Sequence, residues 1–282
     1  MSGLRSSLSV ILSAEIDDII PVSGGDISSA YKATVGQDSF FIKVNKPDLA
    51  PMFEVESFAL NYLKGKSSLL VPDVVAAGRS PNQAYLVLKF IKPTLPDQSF
   101  WENFGQGLAQ LHSNSKKYFG FSTPNYIGPI VQENRETEDW STFYDQYRCR
   151  PLIRKGIDLK CFDQSDLRRF ENLVKKLPDI FPEEIPALCH GDLWSGNYLC
   201  SHHGPYIIDP SVAYLHREMD LAMTKLFGGF DQSFYSSYFN TFPIEPGFNE
   251  RLTFYQLFYL LVHAVLFGGG YIHSVKSILN QF

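Results

Sequence analysis

Apolar and polar positions follow two different periods along the chain, and the dominant period changes near residue 91. Before that point, short runs rich in β-branched and aromatic residues are typical of strands, while two other stretches have helical spacing. The predicted strands are 22–33 (two strands joined by a tight glycine turn), 39–45 and 84–88, and the predicted helices are 4–20 and 52–63.

After residue 91 helical spacing dominates. Two prolines in 91–96 favour an extended connector. The predicted helices beyond it are 100–112, 140–148, 164–177 and 248–267, with an irregular stretch at 118–138. The pattern predicts an α+β fold of two lobes, a β-rich N-terminal lobe at 1–91 and a helical C-terminal lobe at 92–282.

Composition describes an ordinary folded protein, with 282 residues of which 44% are hydrophobic and 20% charged. The net charge of -5 and the lack of a long basic run argue against nucleic acid as a partner. The apolar run 257–270 is broken by His263 and glycines, and it is too short to span a bilayer. We therefore expect a cytoplasmic protein with no membrane partner, and no feature predicts an oligomeric state.

The four cysteines include no Cys-x-x-Cys pair, which favours free thiols. Cys189, Cys200, His202 and His203 lie close together along the chain, but their spacing fits no zinc pattern.

The strongest chemical pattern is the string His-Gly-Asp-Leu-Trp-Ser-Gly-Asn at 190–197, followed by Asp209. Phosphoryl transfer needs a carboxylate that accepts the proton of the attacking hydroxyl, and oxygen ligands for magnesium at the nucleotide phosphates. The protein-kinase catalytic loop has the same interval as Asp192 to Asn197, and its second metal-binding Asp lies on the next hairpin. A polar turn with one exposed Asp is the alternative, and it leaves both intervals unexplained.

Two features of the N-terminal half fit a nucleotide site. Gly24 and Gly25 would let backbone N–H groups approach a phosphate, and Ser28 could add a hydroxyl, although a simple hairpin would also use glycines. Lys43 lies inside an apolar strand, where a buried cation needs a carboxylate partner. Both Glu54 and Glu56 on the next helix could supply it; a lysine on an edge strand facing water is the alternative.

The chain resembles the fructosamine kinase family, relatives of the aminoglycoside phosphotransferases within the protein-kinase-like fold. The resemblance extends over nearly the whole chain and is densest in 190–197, where Trp194 makes the string more specific than a bare His-Gly-Asp. Its other segments are 24–27 with Tyr31, 41–45, 52–56, 108–112, 119–121, 208–210, 216–223, 226–230 and 267–271.

The resemblance implies ATP-dependent phosphorylation of the 3-hydroxyl of ketoamines, the adducts of glucose or ribose with free or protein amines. The phosphorylated adduct is unstable, so the free amine is regenerated. By the same resemblance Asp192 is the base and Asn197 and Asp209 bind Mg²⁺. Lys43 with Glu56, which the family motif favours over Glu54, positions the phosphates of ATP.

The resemblance also places Leu88 and Phe90 in a hinge against which adenine stacks. Trp194 would be a flat platform for the sugar, since apolar sugar faces pack on indole, and a core aromatic is the alternative. Asp220 is expected to brace the 190–197 loop from a helix start. The chain departs from the family pattern at Arg135, which replaces an aromatic residue in a segment expected near the acceptor mouth.

Two other functions remain open. One is a kinase for another hydroxyl acceptor, such as an aminoglycoside, choline or a free sugar, and the Trp194 string argues against it. The other is an inactive nucleotide-binding module, which the presence of Lys43, Asp192, Asn197 and Asp209 argues against.

Overall fold

The computed structural model describes residues 2–22 and 28–282. Its first part is built on a five-stranded sheet with the order β1-β2-β3-β5-β4, in which every neighbouring pair is antiparallel. The strands are β1 (Asp18–Pro21), β2 (Ser29–Val35), β3 (Asp38–Asn45), β4 (Val74–Arg79) and β5 (Ala84–Lys89). β3 is therefore the central strand.

Two helices cover the two faces of this sheet: α1 (Ser2–Leu12) and, after a 3₁₀ turn at Pro47–Leu49, α2 (Ala50–Leu63). Successive side chains of a strand point to opposite faces. Accordingly Val87 packs in the α1 cluster, whereas Leu86 packs with α2. Lys43 is paired with Leu86 in the sheet and so lies on the α2 face.

The rest of the chain is mainly helical, with short two-stranded pairs between the helices. The helices are α3 (Gln98–His112), α4 (Trp140–Phe143), a π-helix (Tyr144–Cys149), α5 (Arg150–Asp158), α6 (Gln164–Val174), α7 (Leu177–Ile180), α8 (Glu218–Leu226), α9 (Gln232–Thr241), α10 (Phe248–Phe267) and α11 (Gly270–Leu279). The pairs are β6 (Asn125–Ile127) with β7 (Ile130–Gln132), β8 (Ala187–Cys189) with β11 (Ala213–Leu215), and β9 (Tyr198–Ser201) with β10 (Gly204–Ile207).

The predicted helix 4–20 is wrong in its second half. α1 ends at Leu12 because Ser13 takes a left-handed backbone conformation with φ 51°, and Asp18–Pro21 forms β1 instead. The Asp17 carboxylate accepts a hydrogen bond from the backbone N–H of Gly36 at 2.6 Å, which ties this segment to the sheet. Tertiary pairing thus overrides the helical spacing.

Some of the other predicted elements match the structure and others are interrupted. The strands 39–45 and 84–88 and the helices 52–63, 100–112 and 248–267 are confirmed. The predicted helix 140–148 is α4 continued by the π-helix, 164–177 breaks after Val174, and the stretch 118–138 contains the β6–β7 hairpin. The lobe boundary at residue 91 stays a prediction. Among the helices of residues 2–22 and 28–282, none has the length and apolar character that a bilayer crossing requires.

Candidate active site

A cleft with a cavity volume of about 370 Å³ lies between the sheet and the helical part. It brings together most of the side chains singled out in the sequence. Those that line it are Ser28, Lys43, Glu56, Asp192, Trp194, Asn197 and Asp209. Gly24 and Gly25 lie outside the described residues.

The loop that carries Asp192 is held by a glycine and a buried carboxylate. Gly191 has φ +86°, and a Cβ there would lie 2.2 Å from the Ser211 carbonyl oxygen, so only glycine fits. Asp220, fully buried in the first turn of α8, accepts hydrogen bonds from the backbone N–H groups of His190 at 2.7 Å and Gly191 at 2.8 Å. The loop is thus braced by α8, as the sequence predicted.

His190 orients the same loop through both ring nitrogens. Nδ1 accepts from the backbone N–H of Asp192 at 3.3 Å, so the proton is on Nε2, which donates to the Ile208 carbonyl at 2.9 Å. Burial lowers the pKa of His190, which keeps the ring neutral. These contacts fit a structural role for His190.

Asp192 is a partly buried carboxylate with little compensation for its charge. Asn197 Nδ2 donates to the Asp192 carbonyl at 2.8 Å and to its Oδ2 at 3.2 Å. Burial raises the pKa of Asp192 to about 7, and the charges of Asp209 and Asp220 add to the effect. A carboxyl group that titrates near neutrality is suited to accept a proton from a bound hydroxyl.

Lys43 connects the sheet to the helical part through two carboxylates. Its Nζ donates to Glu56 Oε1 at 2.8 Å and also to Asp209. Burial would lower the pKa of Lys43, but Asp209 and Glu56 outweigh it, so the pKa is raised. Glu54 is exposed, so Glu56 is the partner that α2 supplies, and the alternative of a water-facing edge lysine is wrong because Lys43 is only 7% exposed.

Asn197 and Asp209 form a donor set that suits a hard cation. The Ile208 N–H donates to the Asn197 carbonyl at 3.0 Å, which holds the loop against the segment that carries Asp209. Asn197 directs its amide nitrogen to Asp192, so its oxygen is the group it can offer to a metal. Carboxylate and amide oxygens are ligands that Mg²⁺ accepts.

Trp194 contributes to an aromatic wall of the cleft. Its ring covers Gly196, where a Cβ would lie 2.4 Å from the indole, and it meets Phe227 edge to face with centroids 6.2 Å apart. His263 and Phe267 at the end of α10 line the same cavity. Sequence reasoning missed these two residues, although His263 was visible as an interruption of an apolar run.

Of the residues predicted to contact the nucleotide base or to form the phosphate-binding turn, fewer line the cleft. Ser28 lines the cavity, and its Oγ accepts from Asn45 Nδ2 at 3.0 Å. Leu88 and Phe90 are not among the residues that line it, and the Phe90 N–H donates to the Ser39 carbonyl at 3.0 Å. Their contact with adenine therefore stays a prediction.

The chain is similar to known proteins along most of its length. A family model described as "Fructosamine kinase" matches residues 6–282. The chain is 38% identical over 276 residues to the "Probable ketoamine kinase" of Vibrio parahaemolyticus, covering 95% of this chain and 93% of that protein.

Two solved structures share the fold. One is a Haemophilus somnus protein provisionally described as a fructosamine-3-kinase, with a TM-score of 0.88 and 25% identity over 99% of this chain and 96% of that one. The other is a thermostable mutant of an aminoglycoside phosphotransferase with ADP and hygromycin B, with a TM-score of 0.65 and 16% identity over 99% and 98%. At that identity the second match bears on the fold alone, and the predicted two-lobed, protein-kinase-like α+β fold is confirmed.

Proposed function

Because the chain belongs to the fructosamine kinase family and so to the phosphotransferases with a hydroxyl acceptor, we propose that it transfers the γ-phosphoryl group of ATP to the 3-hydroxyl of a ketoamine. One observation carries the proposal: Lys43, Glu56, Asp192, Asn197 and Asp209 line a single cleft, with the aromatic wall of Trp194 beside them.

Asp192 is the proposed base. Its carboxylate accepts the proton of the sugar hydroxyl as the new O–P bond forms, and the bond between the γ-phosphorus and the bridging oxygen breaks to release ADP. The raised pKa of Asp192 suits this role, because a base with a pKa near the working pH is both available and strong enough. Asn197 holds the carboxylate in place through the 3.2 Å hydrogen bond.

Lys43 and the metal-binding pair are proposed to hold the phosphates. Lys43, kept in position by Glu56, would contact the phosphate oxygens of ATP. Asn197 and Asp209 would hold Mg²⁺. When bound, this ion would neutralise charge that develops on the phosphates during transfer.

The acceptor is proposed to be a fructosamine or a ribulosamine, on a free amine or on a protein. Trp194, Phe267 and His263 border the space beside Asp192, and an indole face is a suitable surface for the apolar side of a sugar. Phosphorylation at the 3-position would destabilise the adduct and return the free amine. The cytoplasmic location stays a prediction.

An acceptor panel tests this function. ADP release is measured with a fructosyl amine, a ribulosyl amine, an aminoglycoside, choline and free fructose, each with Mg²⁺ or with excess chelator. We expect kcat/KM for a ketoamine to exceed that of every other acceptor by at least about tenfold, which corresponds to about 1.4 kcal/mol in the transition state. A preference for another acceptor would point to a different small-molecule kinase, and no turnover with any acceptor would indicate an inactive module.

A further inference from the structure

A second cavity, of about 200 Å³, adjoins the cleft, because Ile127 lines both. Its walls come from the β6–β7 hairpin, the residues that follow it, the π-helix and the start of α5. Apolar side chains form part of the lining, among them Ile130, Leu152 and Phe258. Two arginines, Arg135 and Arg148, also line it, and none of the residues assigned so far to the phosphoryl transfer does.

Arg148 is a buried cation whose hydrogen-bond partners, among the described residues, are neutral groups. It is 2% exposed, and its guanidinium donates to the carbonyls of Glu133 at 3.0 Å and Tyr147 at 2.9 Å and to Asn134 Oδ1 at 2.6 Å. It also lies 4.5 Å from the ring centroid of Phe143. Burial lowers the pKa of Arg148 to about 9, so the side chain stays cationic at neutral pH.

A buried charge is costly unless an opposite charge or a full set of hydrogen bonds compensates it. In the described part of the chain the hydrogen-bond partners of Arg148 are two carbonyls and an amide, and none is a carboxylate. A carboxylate brought by a ligand would supply the missing charge, and guanidinium recognises that group well.

The backbone around Arg148 is itself unusual. Residues Tyr144–Cys149 form a π-helix, and Gln146, Tyr147 and Arg148 from this segment all line the second cavity. π-helical turns are rare in proteins, and many of those that occur lie at functional sites.

The rim of the cavity has one group of each charge. Arg135 and Glu133 lie side by side, with 4.0 Å between Arg135 Nε and Glu133 Oε2, and their side chains are 76% and 55% exposed. Both groups can therefore reach a ligand that enters from the cleft. A rim of this kind matches a zwitterion, because a carboxylate would meet Arg135 and an ammonium group would meet Glu133.

We propose that the second cavity binds the free α-amino-acid head group of an ε-glycated lysine whose sugar lies at Asp192. The carboxylate would contact Arg148 and Arg135, the α-ammonium would contact Glu133, and the methylene chain would pass Ile127. This proposal rests on the proposed ketoamine kinase function. It makes free glycated lysine a better substrate than the same adduct in a protein, where both head groups are uncharged amides.

Two matched substrates test it: ε-fructosyllysine, and the same compound with its α-amino group acetylated and its carboxyl group amidated. For the unmodified protein we expect kcat/KM to favour the free amino acid by about tenfold or more, mainly through KM, since hydrogen bonds between charged groups are stronger than those made by neutral amides. Equal kcat/KM values for the two would overturn the head-group site. Absence of turnover with both, and with a simple fructosyl amine, would count against the proposed function instead.

Two variants of the second cavity and one control variant show where the effect arises. Arg135→Gln should reduce the ratio between the two substrates several-fold, whereas Arg168→Gln, an exposed arginine of α6, should leave the ratio and the activity unchanged. Arg148→Lys keeps the positive charge but loses the planar guanidinium that can donate two parallel hydrogen bonds to a carboxylate, so it should also lower the ratio. The melting temperature of this variant is measured to confirm that it folds. A ratio that is the same in Arg135→Gln as in the unmodified protein would contradict the proposal.

Discussion

The negative charges of Asp209 and Asp220 both act on Asp192, and the structure compensates these three carboxylates unequally. Burial opposes ionisation of Asp209, yet Lys43 lowers its pKa, and Asp220 is likewise lowered against burial by His112 and the backbone N–H of Gly191. Among the described residues Asn197 alone offsets the burial of Asp192, so the pKa of Asp192 is raised to about 7. The residue proposed as the base is the one whose charge the fold leaves least satisfied.

Asp192→Asn should therefore separate activity from stability. Removal of a general base typically costs ~10²–10⁴-fold in rate, and nucleotide binding should remain. The folded protein keeps a proton on Asp192 up to about pH 7, whereas an unfolded Asp loses it near pH ~3.9. The unmodified protein should lose stability as pH rises through this window, and the Asn variant should not.

Melting temperatures of the two proteins without magnesium check this. At about pH 4, where this window begins, they should be close, and at pH 8 the variant should melt about 2–6 °C higher, since 1 kcal/mol corresponds to ~2–4 °C for a chain of this size and the open cleft screens part of the charge. Retention of more than about a third of the rate would overturn the assignment of Asp192 as the base.

Trp194 has two possible roles, a platform for the sugar or core packing, and a substitution of the neighbouring Gly196 can distinguish them. Gly196→Ala would push a Cβ into the indole without removing it, since the ring lies 2.4 Å from that position. If Trp194 is a sugar platform, the variant and Trp194→Ala should both raise the ketoamine KM several-fold and change the ATP KM much less. Melting temperature serves as the control.

The competing view makes Trp194 core packing. Trp194→Ala would then destabilise the fold by ~3–5 kcal/mol while ketoamine kinetics of the folded fraction stayed intact. That pair of results would leave ketoamine specificity without a platform residue.

The sequence could predict which residues a local motif brings together, because the intervals from Asp192 to Asn197 and on to Asp209 are fixed by one loop and one hairpin. It could not predict that His112 and Tyr238 extend the contacts of Asp220, with His112 Nε2 3.1 Å from Asp220 and Nδ1 2.7 Å from the Tyr238 hydroxyl. Nor could it place His263 on the cleft wall. Such contacts join elements far apart in the chain. They depend on tertiary packing, which the spacing of residues along the sequence does not show.

At the scale of elements, the ion pair between Lys43 and Glu56 joins β3 to α2. Lys43 comes from the central strand, and Glu56 comes from the face of α2 that packs on the sheet. The position of Lys43 in the cleft therefore depends on α2, and substitutions on α2 can test this dependence.

Glu56→Gln should raise the ATP KM and lower kcat. Among the described residues Asp209 would then be the one anionic partner left to Lys43, and it would draw Lys43 away from the phosphates. Glu54→Gln is the matched control, two residues away on the same helix but exposed, and it should stay within about twofold of the unmodified enzyme. Steady-state kinetics in ATP for both variants check this. Equal behaviour of the two would mean that the Lys43–Glu56 pair does not position ATP.

Elements with a strong period and clear ends, such as β3, α3 and α10, could be predicted from the sequence. β1 could not, since residues 16–19 fit a helical face as well as they fit a strand, and pairing with β2 decided between them. The π-helix was also beyond the pattern, because a few residues with slightly wider hydrogen bonding leave nearly the same spacing of apolar positions.

At the scale of the whole molecule, the sheet and the helical part are joined by more than the connector. Leu70 exchanges backbone hydrogen bonds with the β10 strand, from its N–H to the Pro205 carbonyl and from the Ile207 N–H to its own carbonyl, both at 2.9 Å. The Lys43–Asp209 contact crosses the cleft as well. The two-lobed architecture was predictable from the change of period, while the contacts that close the cleft were not.

The position of the transferred phosphate tests the central claim most directly. The protein is incubated with ATP, Mg²⁺ and a fructosyl amine, and ³¹P–¹H correlation NMR locates the phosphate on the sugar before the adduct breaks down. The account predicts a phosphate on the 3-oxygen, formed by the unmodified protein and reduced ~10²–10⁴-fold in rate in Asp192→Asn. A phosphate on another oxygen, or ADP formed with no phosphorylated ketoamine, would contradict it.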